Sequence, residues 1–565
     1  MIDHQELYPG FIHLPGDETP DPFRPFTGAD AQRPWLLDFH WPRGLTPMAF
    51  SLAEDFSLTS QLAAEGLPLA TGRGFAQRAV GTHLYFSEIK VADAGEIEAR
   101  SRRSARAVAA FTADFAGNWG RRLAELRRSL AYFEASGLQG ATIAELGTRL
   151  REARAFHRRA WAIHFEVMYP LLLHCLDFQR LCDDLGLGRE QVVTYLQGYD
   201  NKILETDRRL WDLARDARRA GLAGLFARTE PHRLGVELRR AGGAAATWLS
   251  RLDDFLDTWG HRTEGTSDVN LATWHEDPLP VLGTIKTFLL KPEGFDLSAA
   301  QRRAAADREE AVELARRRLT RARRLDFDAA LASCRQANFV WWNDEHNFWI
   351  DLRVAVPMRE ACLAVGDALG TDRRDDPLYL FWPELVDVVE GRTAWRDMAV
   401  IVEARRVHYQ RWLDRRPRMP KALGTTPEKA DDPVIQEIFG VREGLLHAAA
   451  GSAGSRVLAG LSASPGVVRG TAHVLHDADE LHRIAPGEIL VCEATSPNWT
   501  PAFGKIAACV TDLGGILSHS AIVSREYGVA CVVGVGVATQ VIRSGDLIEV
   551  DGDRGHVRIL RGAAR

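Results

Sequence analysis

The chain has 565 residues, of which 46% are hydrophobic and 26% charged, and its formal net charge is -6. This length predicts about two to four domains, and the composition is typical of a globular protein without an electrostatic footprint for nucleic acid. A polar N-terminus, the lack of an apolar run of membrane-spanning length, and seven scattered cysteines without a Cys-x-x-Cys pair favour a cytoplasmic protein with reduced thiols and no membrane partner.

The first segment, residues 1–90, is rich in proline and glycine. Prolines follow one another quickly at positions 9, 15, 20, 22 and 25. This pattern predicts a loop-rich lead-in with little regular structure, packed on the domain that follows.

Residues 91–415 are dominated by helical patterns. Stretches rich in Ala, Leu and Arg at 98–135, 141–165, 188–220, 298–325 and 399–415 place apolar residues three and four positions apart. We therefore expect a mostly α-helical domain, whose functional groups lie on helices and their connections.

Two polar stretches in this domain carry titratable groups beside aromatic residues. The first is WGHRTEG at 259–265, where a helix is expected to end at Gly260, and the second is the helical segment DEHNFWID at 344–351. Such groups suit the binding and deprotonation of a small phenol or alcohol. The candidate bases and phosphate clamp are His261, Arg262, Glu345 and His346, and the candidate substrate pocket is Trp259, Trp274, Trp341 and Trp342.

The alternative for each of these polar residues is a helix interior held together by hydrogen bonds, or a solvated face. A zinc site at Glu345 and His346 is not expected, because the His-Glu-x-x-His spacing is missing. No metal cluster is predicted in this chain.

The composition changes after residue 415. Prolines interrupt the helical pattern, and AAGSAGS at 449–455 reads as a hinge, so we expect a linker over 416–458. Short β-rich runs then begin at residues 471, 488, 506, 531, 547 and 556. With helical insertions between them, they predict a small α/β domain over 459–563.

One segment of this last domain stands out, GGILSHSAIV at 514–523. A strand-like run leads into the glycine pair, and the pattern becomes helical after His519 and stops at Gly528. A histidine in the first turn of a helix faces free backbone N–H groups and the positive end of the helix dipole. Its phosphorylated form would be stabilised there, so His519 is the candidate nucleophile, although a lone histidine more often only caps a helix.

The surrounding blocks decide between these interpretations. They are LSASPGVVRG at 461–470, GEILV at 487–491, TSPNWTP at 495–501, REYGVA at 525–530, VGVG at 533–536 and VDG at 550–552. In this order they resemble the swivelling phosphohistidine domain of the phosphoenolpyruvate-utilising enzyme superfamily. The resemblance implies that His519 carries a phosphoryl group between two distant sites, with Gly514, Gly515, Ser518 and Arg525 supporting its loop.

The polar stretches at 259–278 and 341–351 are similar to the substrate-handling region of phenylphosphate synthase and rifampin phosphotransferase. The sequence shows no phosphate-binding Gly-x-x-x-x-Gly-Lys loop, no ATP-grasp region and no (β/α)8 pyruvate-binding barrel. The resemblance to the phenylphosphate synthase large subunit implies that ATP and Mg2+ are bound mainly by a separate ATP-grasp subunit, which releases AMP and phosphate. No cofactor held by this chain is identified.

The sequence thus predicts a helical substrate domain joined to a phosphohistidine carrier. The carrier would take a phosphoryl group from the partner subunit to a phenol or alcohol. Two alternatives stay open: an ATP-independent enzyme on the same scaffold, and a regulatory or scaffold protein in which phospho-His519 is a signal.

Overall fold

A computed structural model of the chain describes residues 33–562, except 264, 292–295, 297, 414, 417–418, 420, 426–431, 439–455, 477 and 496–498. The described residues form a large helical region that carries a small antiparallel sheet, followed by a C-terminal α/β domain. The predicted fold class, a mostly helical domain followed by a small α/β domain, is confirmed.

The helices of the larger region are α1 (Pro47–Gly66), α2 (Ala94–Ala113), α3 (Phe115–Ala135), α4 (Ile143–Asp184), α5 (Gln191–Leu196), α6 (Lys202–Arg219), α7 (Ala223–Arg228), α8 (Pro231–Ala241), α9 (Ala244–Trp259), α10 (Leu279–Leu289), α11 (Ser298–Arg318), α12 (Arg321–Gln336), α13 (Phe339–Trp349), α14 (Val356–Leu369), α15 (Trp382–Val389) and α16 (Trp395–Leu413). A 3-10 helix, Asp376–Tyr379, lies between α14 and α15. Each stretch predicted to be helical overlaps one or more of these helices, and α9 ends before Gly260 as predicted.

The prediction of a loop-rich lead-in over residues 1–90 is wrong for residues 33–90. Strand β1 (Pro34–Leu37) precedes α1, and a hairpin of β2 (Gly72–Val80) and β3 (His83–Lys90) follows it. Helix α1 starts where the Thr46 side chain caps Ala49 N–H and a proline takes the first position. Because 17 of its 20 residues are buried, α1 has no polar face to reveal its period. Residues 1–32 lie outside the described residues.

Helix α4 is the longest element and forms one wall of the functional site. It begins with a capping box in which Thr142 and Glu145 each bind the other's backbone N–H. It packs against α1 and α14, and its buried face includes Trp161, His164 and Phe165.

The start of the predicted linker is structured. Strand β4 (Ala422–Gly424) pairs with β1, which gives the small sheet the order β2-β3-β1-β4, and helix α17 (Pro433–Glu437) follows. Arg416 and Lys421 bind the two oxygens of Glu493, in the C-terminal domain, at 2.9 and 2.5 Å. We call residues 416–438 the strap, since its described part contacts both domains. Residues 439–455, with the predicted hinge, lie outside the described residues.

The C-terminal domain contains β5 (Val457–Ala459), β6 (Leu461–Ser464), β7 (Val467–Val474), β8 (Ile489–Cys492), α18 (Thr500–Phe503), β9 (Ala508–Thr511), α19 (His519–Tyr527), β10 (Ala530–Val533), α20 (Ala538–Val541), β11 (Leu547–Asp551) and β12 (His556–Arg561), with a 3-10 helix at Ala478–Arg483. The strands form one sheet of order β5-β12-β11-β7-β8-β9-β10-β6, with β7 to β10 parallel. All six predicted β-runs are strands, and α19 ends at the left-handed Gly528 as predicted.

All seven cysteines are buried thiols. Among the helices of the described ranges, none has the length and apolar character needed to cross a bilayer.

Candidate active site

His519 is the first residue of α19, at the end of a loop that leaves the carboxyl end of β9. Gly514 in this loop has a φ of +112°, and a Cβ there would lie only 2.8 Å from the Ser518 hydroxyl oxygen. A Cβ on Gly515 would clash with the main-chain carbonyl of Glu437, in the strap. The glycine pair is therefore required twice, for the turn before His519 and for close approach of the strap.

Two further residues hold this loop. Arg525 donates hydrogen bonds to the carbonyl oxygens of Ile516 at 3.0 Å and Ala521 at 3.3 Å. Burial lowers the pKa of Arg525 to about 10, so its guanidinium remains charged at neutral pH. Ser518 is the N-cap residue of α19, and its N–H donates to the Gly515 carbonyl. The four predicted support residues thus all lie in the loop or helix of His519.

The His519 ring is half-buried, neutral and held in orientation. Its Nδ1 lies 2.9 Å from the Thr495 hydroxyl oxygen, which lies 2.8 Å from the Ser520 hydroxyl oxygen. Burial lowers the pKa of His519 to about 3, so the imidazole carries one lone pair at pH 7. When Nδ1 donates to Thr495, that lone pair lies on Nε2. Such a nitrogen is a nucleophile, and the free N–H groups of the first helical turn suit a phosphoryl group beside it.

His519 lines a cavity between the C-terminal domain and the helical region. The aromatic wall consists of Phe39, Phe56, Phe75, Trp161 and Phe165. The C-terminal domain contributes Ala494, Thr495, Leu513, Gly514, Ser518, His519 and Ser520, and the strap contributes Val434 and Ile438. The polar side chains of the helical region are His40, His164, Thr266, Asn343, His346, Asn347 and Asp351. This chamber is largely apolar, with the nucleophile on one side and a polar cluster on the other.

The polar cluster is built by the end of α13 and the middle of α4. His346 Nδ1 lies 3.0 Å from the Trp342 carbonyl, its ring stacks on the Trp342 ring, and its Nε2 lies 3.7 Å from Asp351 Oδ1. The His164 ring centre lies 4.7 Å from that of His346. Burial lowers the pKa of His346 to about 4 and raises the pKa of Asp351 to about 7. His346 is therefore the one predicted base that the structure brings into the cavity with His519.

The other predicted catalytic residues lie outside the described lining of the cavity. The His261 ring centre is 4.4 Å from that of His275, and burial, with this neighbour, lowers the pKa of His261. Glu345 accepts hydrogen bonds from the Lys202 N–H at 2.8 Å and the Trp349 indole at 3.0 Å. The Arg262 guanidinium lies over the Trp274 ring at 4.2 Å. Their proposed roles stay predictions that this arrangement does not favour.

The predicted aromatic pocket also differs from the observed one. None of Trp259, Trp274, Trp341 and Trp342 is among the described lining residues; they pack in or against the hydrophobic cores, and Trp342 acts on the cavity only by stacking on His346. The aromatic wall comes instead from residues that the motifs do not mark. Asp351 lies at the end of the singled-out segment DEHNFWID but was not chosen as a site residue, and His40 and His164 lie outside the motifs.

A second group of ionisable residues lies where α19 docks on the helical region. The Tyr527 hydroxyl donates to Asp207 Oδ2 at 2.8 Å. Burial raises the pKa of Asp207 to about 6, although Tyr527, Arg262 and Arg208 oppose the shift. Burial and the neighbouring Glu345 raise the pKa of Asp344 to about 7.

Glu526 joins these two carboxyl groups from the other domain. Burial, together with Asp344 and Asp207, raises the pKa of Glu526 well above its ordinary value. Three carboxyl groups therefore meet across the interface, two from the helical region and one from the C-terminal domain. The docked arrangement favours their protonated forms.

Docking is expected to weaken as the pH rises. Below about pH 4 the three carboxyl groups are protonated in both arrangements, so their charges do not oppose docking. Between about pH 4 and pH 7 the separated domains lose these protons while the docked carboxyl groups keep theirs, so docking becomes less favourable as the pH rises until the docked groups also ionise. Small-angle scattering should show a larger radius of gyration at about pH 8.5 than at about pH 5.5.

The matched variants test the cause. Glu526→Gln removes one charge without changing shape and should keep the compact form at the higher pH, whereas Glu480→Gln, beside Arg483 on the same domain, should behave as wild type. A radius of gyration that does not change with pH, or an equal response of both variants, would contradict this role of the interface.

Comparisons with known proteins agree with the two-part architecture. Residues 484–555 match the mobile domain of PEP-utilising enzymes, and residues 163–344 match the fourth domain of rifampicin phosphotransferases. The first match contains His519 and its loop. The second contains the lining residues His164, Phe165, Met168, Thr266 and Asn343, and it ends before His346.

Three curated relatives illustrate how far the similarity extends. Chondramide synthase cmdD of Chondromyces crocatus is 32% identical over 94% of this chain and 14% of its own length. The uncharacterised phosphotransferase YvkC of Bacillus subtilis is 29% identical over 73% of this chain and 48% of its own length. A rifampicin phosphotransferase of Streptomyces sp is 32% identical over 56% of this chain and 35% of its own length. The chain thus spans less than half the length of each of these relatives.

Proposed function

We propose that this chain is a phosphotransferase of the phosphoenolpyruvate-utilising enzyme superfamily, whose His519 carries a phosphoryl group to a small hydroxyl-bearing acceptor; the matches to the mobile domain and to the rifampicin phosphotransferase fourth domain support this. The observation that carries this proposal is the shared chamber. A neutral, oriented imidazole at a helix N-terminus opens into the same cavity as the polar cluster of His164, His346 and Asp351.

The donor side of the reaction lies outside the residues described above. We propose that an ATP-grasp domain on a separate subunit binds ATP and Mg2+ and phosphorylates His519, with AMP and phosphate as the other products. For this step the C-terminal domain must leave the chamber, because in the docked arrangement His519 faces the cavity between the two domains. Docking then returns phospho-His519 to a site from which bulk water is largely excluded.

The acceptor side is the chamber itself. Its aromatic wall suits a phenol or another flat, largely apolar alcohol. In the transfer step the Nε2–phosphorus bond breaks, its electron pair returns to Nε2, and the acceptor oxygen forms the new bond to phosphorus. The hydroxyl proton passes to the pair formed by His346 Nε2 and the Asp351 carboxylate, which activates the acceptor oxygen.

The experiment that tests the carrier role is intact-protein mass spectrometry. The full chain is incubated with ATP and Mg2+, with and without host-cell extract as the source of the donor subunit. We expect an acid-labile gain of ~80 Da, one phosphoryl group, only when extract is present, and fragmentation should locate it on the peptide that contains His519.

Each other outcome is informative. The same gain without extract would overturn the proposed separate donor. No gain under any condition, with extract active on a known kinase substrate, would overturn the carrier role itself.

A further inference from the structure

Three buried side chains on the acceptor side of the chamber direct one coordinating atom each toward the same point. They are His164, His346 and Asp351, whose side-chain nitrogen and oxygen atoms lie within 4.8 Å of one another. Their relative exposures are 8%, 3% and 8%, so solvent satisfies little of their hydrogen-bonding capacity.

The tautomer of His346 follows from its neighbours. Its Nδ1 lies 3.0 Å from the Trp342 carbonyl oxygen, which can only accept a hydrogen bond, so Nδ1 carries the proton. The lone pair is therefore on Nε2, which lies 3.7 Å from Asp351 Oδ1. A backbone carbonyl that fixes the second ring nitrogen in this way is the usual support of a metal-binding histidine.

The other two side chains have unused acceptor capacity at the same place. Within the described part of the chain, neither Asp351 Oδ1 nor His164 Nδ1 has a hydrogen-bond partner. A lone pair on His346 Nε2 that faces a carboxylate oxygen is repulsive unless a proton or a metal ion lies between them. A buried polar atom without a partner costs about 1–3 kcal/mol, and two such atoms beside the Nε2 lone pair of His346 indicate a common ligand.

We propose that His164, His346 and Asp351 bind a divalent transition-metal ion, with the ligand preference of Zn2+. Two imidazoles and one carboxylate are a donor set that suits zinc, and catalytic zinc sites keep a further position open for a small molecule. The cluster lines the same chamber as His519, so that open position would face the acceptor site.

The role of this ion rests on the proposed function. With the ion bound, an acceptor hydroxyl at the open position would become more acidic and would give up its proton to a water molecule held in the chamber, and its oxygen would be positioned for attack on phospho-His519. His346 then acts by holding the ion and not by taking the proton itself. Binding of the ion requires neither phosphorylation nor an acceptor.

Metal binding is tested directly on the untagged full chain. The protein is stripped with a chelator, titrated with Zn2+ alone and analysed by inductively coupled plasma mass spectrometry, and Co2+ is used as a spectroscopic probe of its ligands. We expect about one ion per chain. Asp351→Asn and His346→Gln should each weaken binding at least about 100-fold, because even supporting residues of metal sites contribute 10–100-fold.

Two controls separate this site from other causes. His174→Gln replaces a half-buried histidine of the same helix α4 that contacts Ser333, and it should bind as wild type. His519→Ala should also keep the ion, so failure of the carrier proposal and failure of the metal proposal are distinguishable. Binding well below one ion per chain, or stoichiometric binding unchanged in both ligand variants while their circular dichroism remains native, would overturn the proposal.

Discussion

Replacing His519 with alanine is expected to abolish the acid-labile phosphoryl adduct completely. Every step of the proposed reaction passes through the Nε2 lone pair of this residue, and alanine has no nucleophile to replace it. The neighbouring hydroxyl groups of Thr495 and Ser520 would remain, but phosphorylated hydroxyls are stable to acid and would be recognised as a different product. The measurement is intact mass before and after acid treatment, with ATP, Mg2+ and extract present.

A matched variant exists in the same domain. His473 lies on β7 and binds Glu488 at 2.9 Å, far from the cavity lining, so His473→Ala should be phosphorylated as wild type. The thermal midpoint of both variants should be recorded, because loss of a buried ring can unfold a domain. An adduct of normal acid lability in a folded His519→Ala protein would refute the assignment of the nucleophile.

Replacing His346 with glutamine is expected to slow discharge, the transfer of the phosphoryl group to the acceptor, without affecting loading, the phosphorylation of His519. In the proposed cycle loading takes place with the C-terminal domain away from the chamber, so His519 should still be phosphorylated. Discharge to an acceptor should slow by about 100- to 10,000-fold, the range typical of losing a group that activates a reacting hydroxyl. The measurement is the single-turnover decay of the phosphorylated protein, with simple phenols or the small-molecule fraction of host extract as acceptor.

The comparison for this variant is again His174→Gln, on a helix that lines the same chamber. Its decay rate should match that of wild type. If His346→Gln and wild type discharge at the same rate while an acceptor clearly accelerates both, the acceptor is activated elsewhere. Glu345 and His261 would then be the next residues to replace.

The sequence was most informative where chemistry and fold are local. The strand, glycine pair and helix around His519 lie within about twenty residues, so the pattern itself places the histidine at a helix N-terminus. Gly515 illustrates the limit of this reasoning. Its position in the motif is visible in the sequence, but its contact with the carbonyl of Glu437 depends on a segment from another part of the chain.

The polar cluster could not be predicted in the same way. His164 lies within an apolar run of α4, where a single histidine is more often a core residue, and Asp351 follows the end of α13. Only the packing of α4 against α13 brings them to His346. The prediction of a pocket lined by tryptophans differs from the structure for the opposite reason. Residues 259, 274, 341 and 342 neighbour the motifs in sequence, but their side chains pack in or against the hydrophobic cores.

The lead-in shows a third kind of limit. A helix that is buried on nearly every side lacks the alternation of polar and apolar faces on which periodicity arguments depend. Helix α1 is such an element, and it supplies Phe56 to the aromatic wall. The prolines that precede α1 in the sequence give information only about the segment before the helix, and not about the helix itself.

The strap limits the distance over which the proposed carrier domain could move. If its described part stays bound to the helical region, residue 456 is connected to residue 438 by 18 peptide steps, which can span at most about 65 Å. A partner's catalytic site must therefore come within that distance of residue 438. Otherwise the strap must release its contacts with the helical region and move with the C-terminal domain, to which its ion pairs with Glu493 attach it. Because the two domains are joined by the polypeptide chain, return of the C-terminal domain to the chamber would be an intramolecular event, and its rate would not depend on protein concentration.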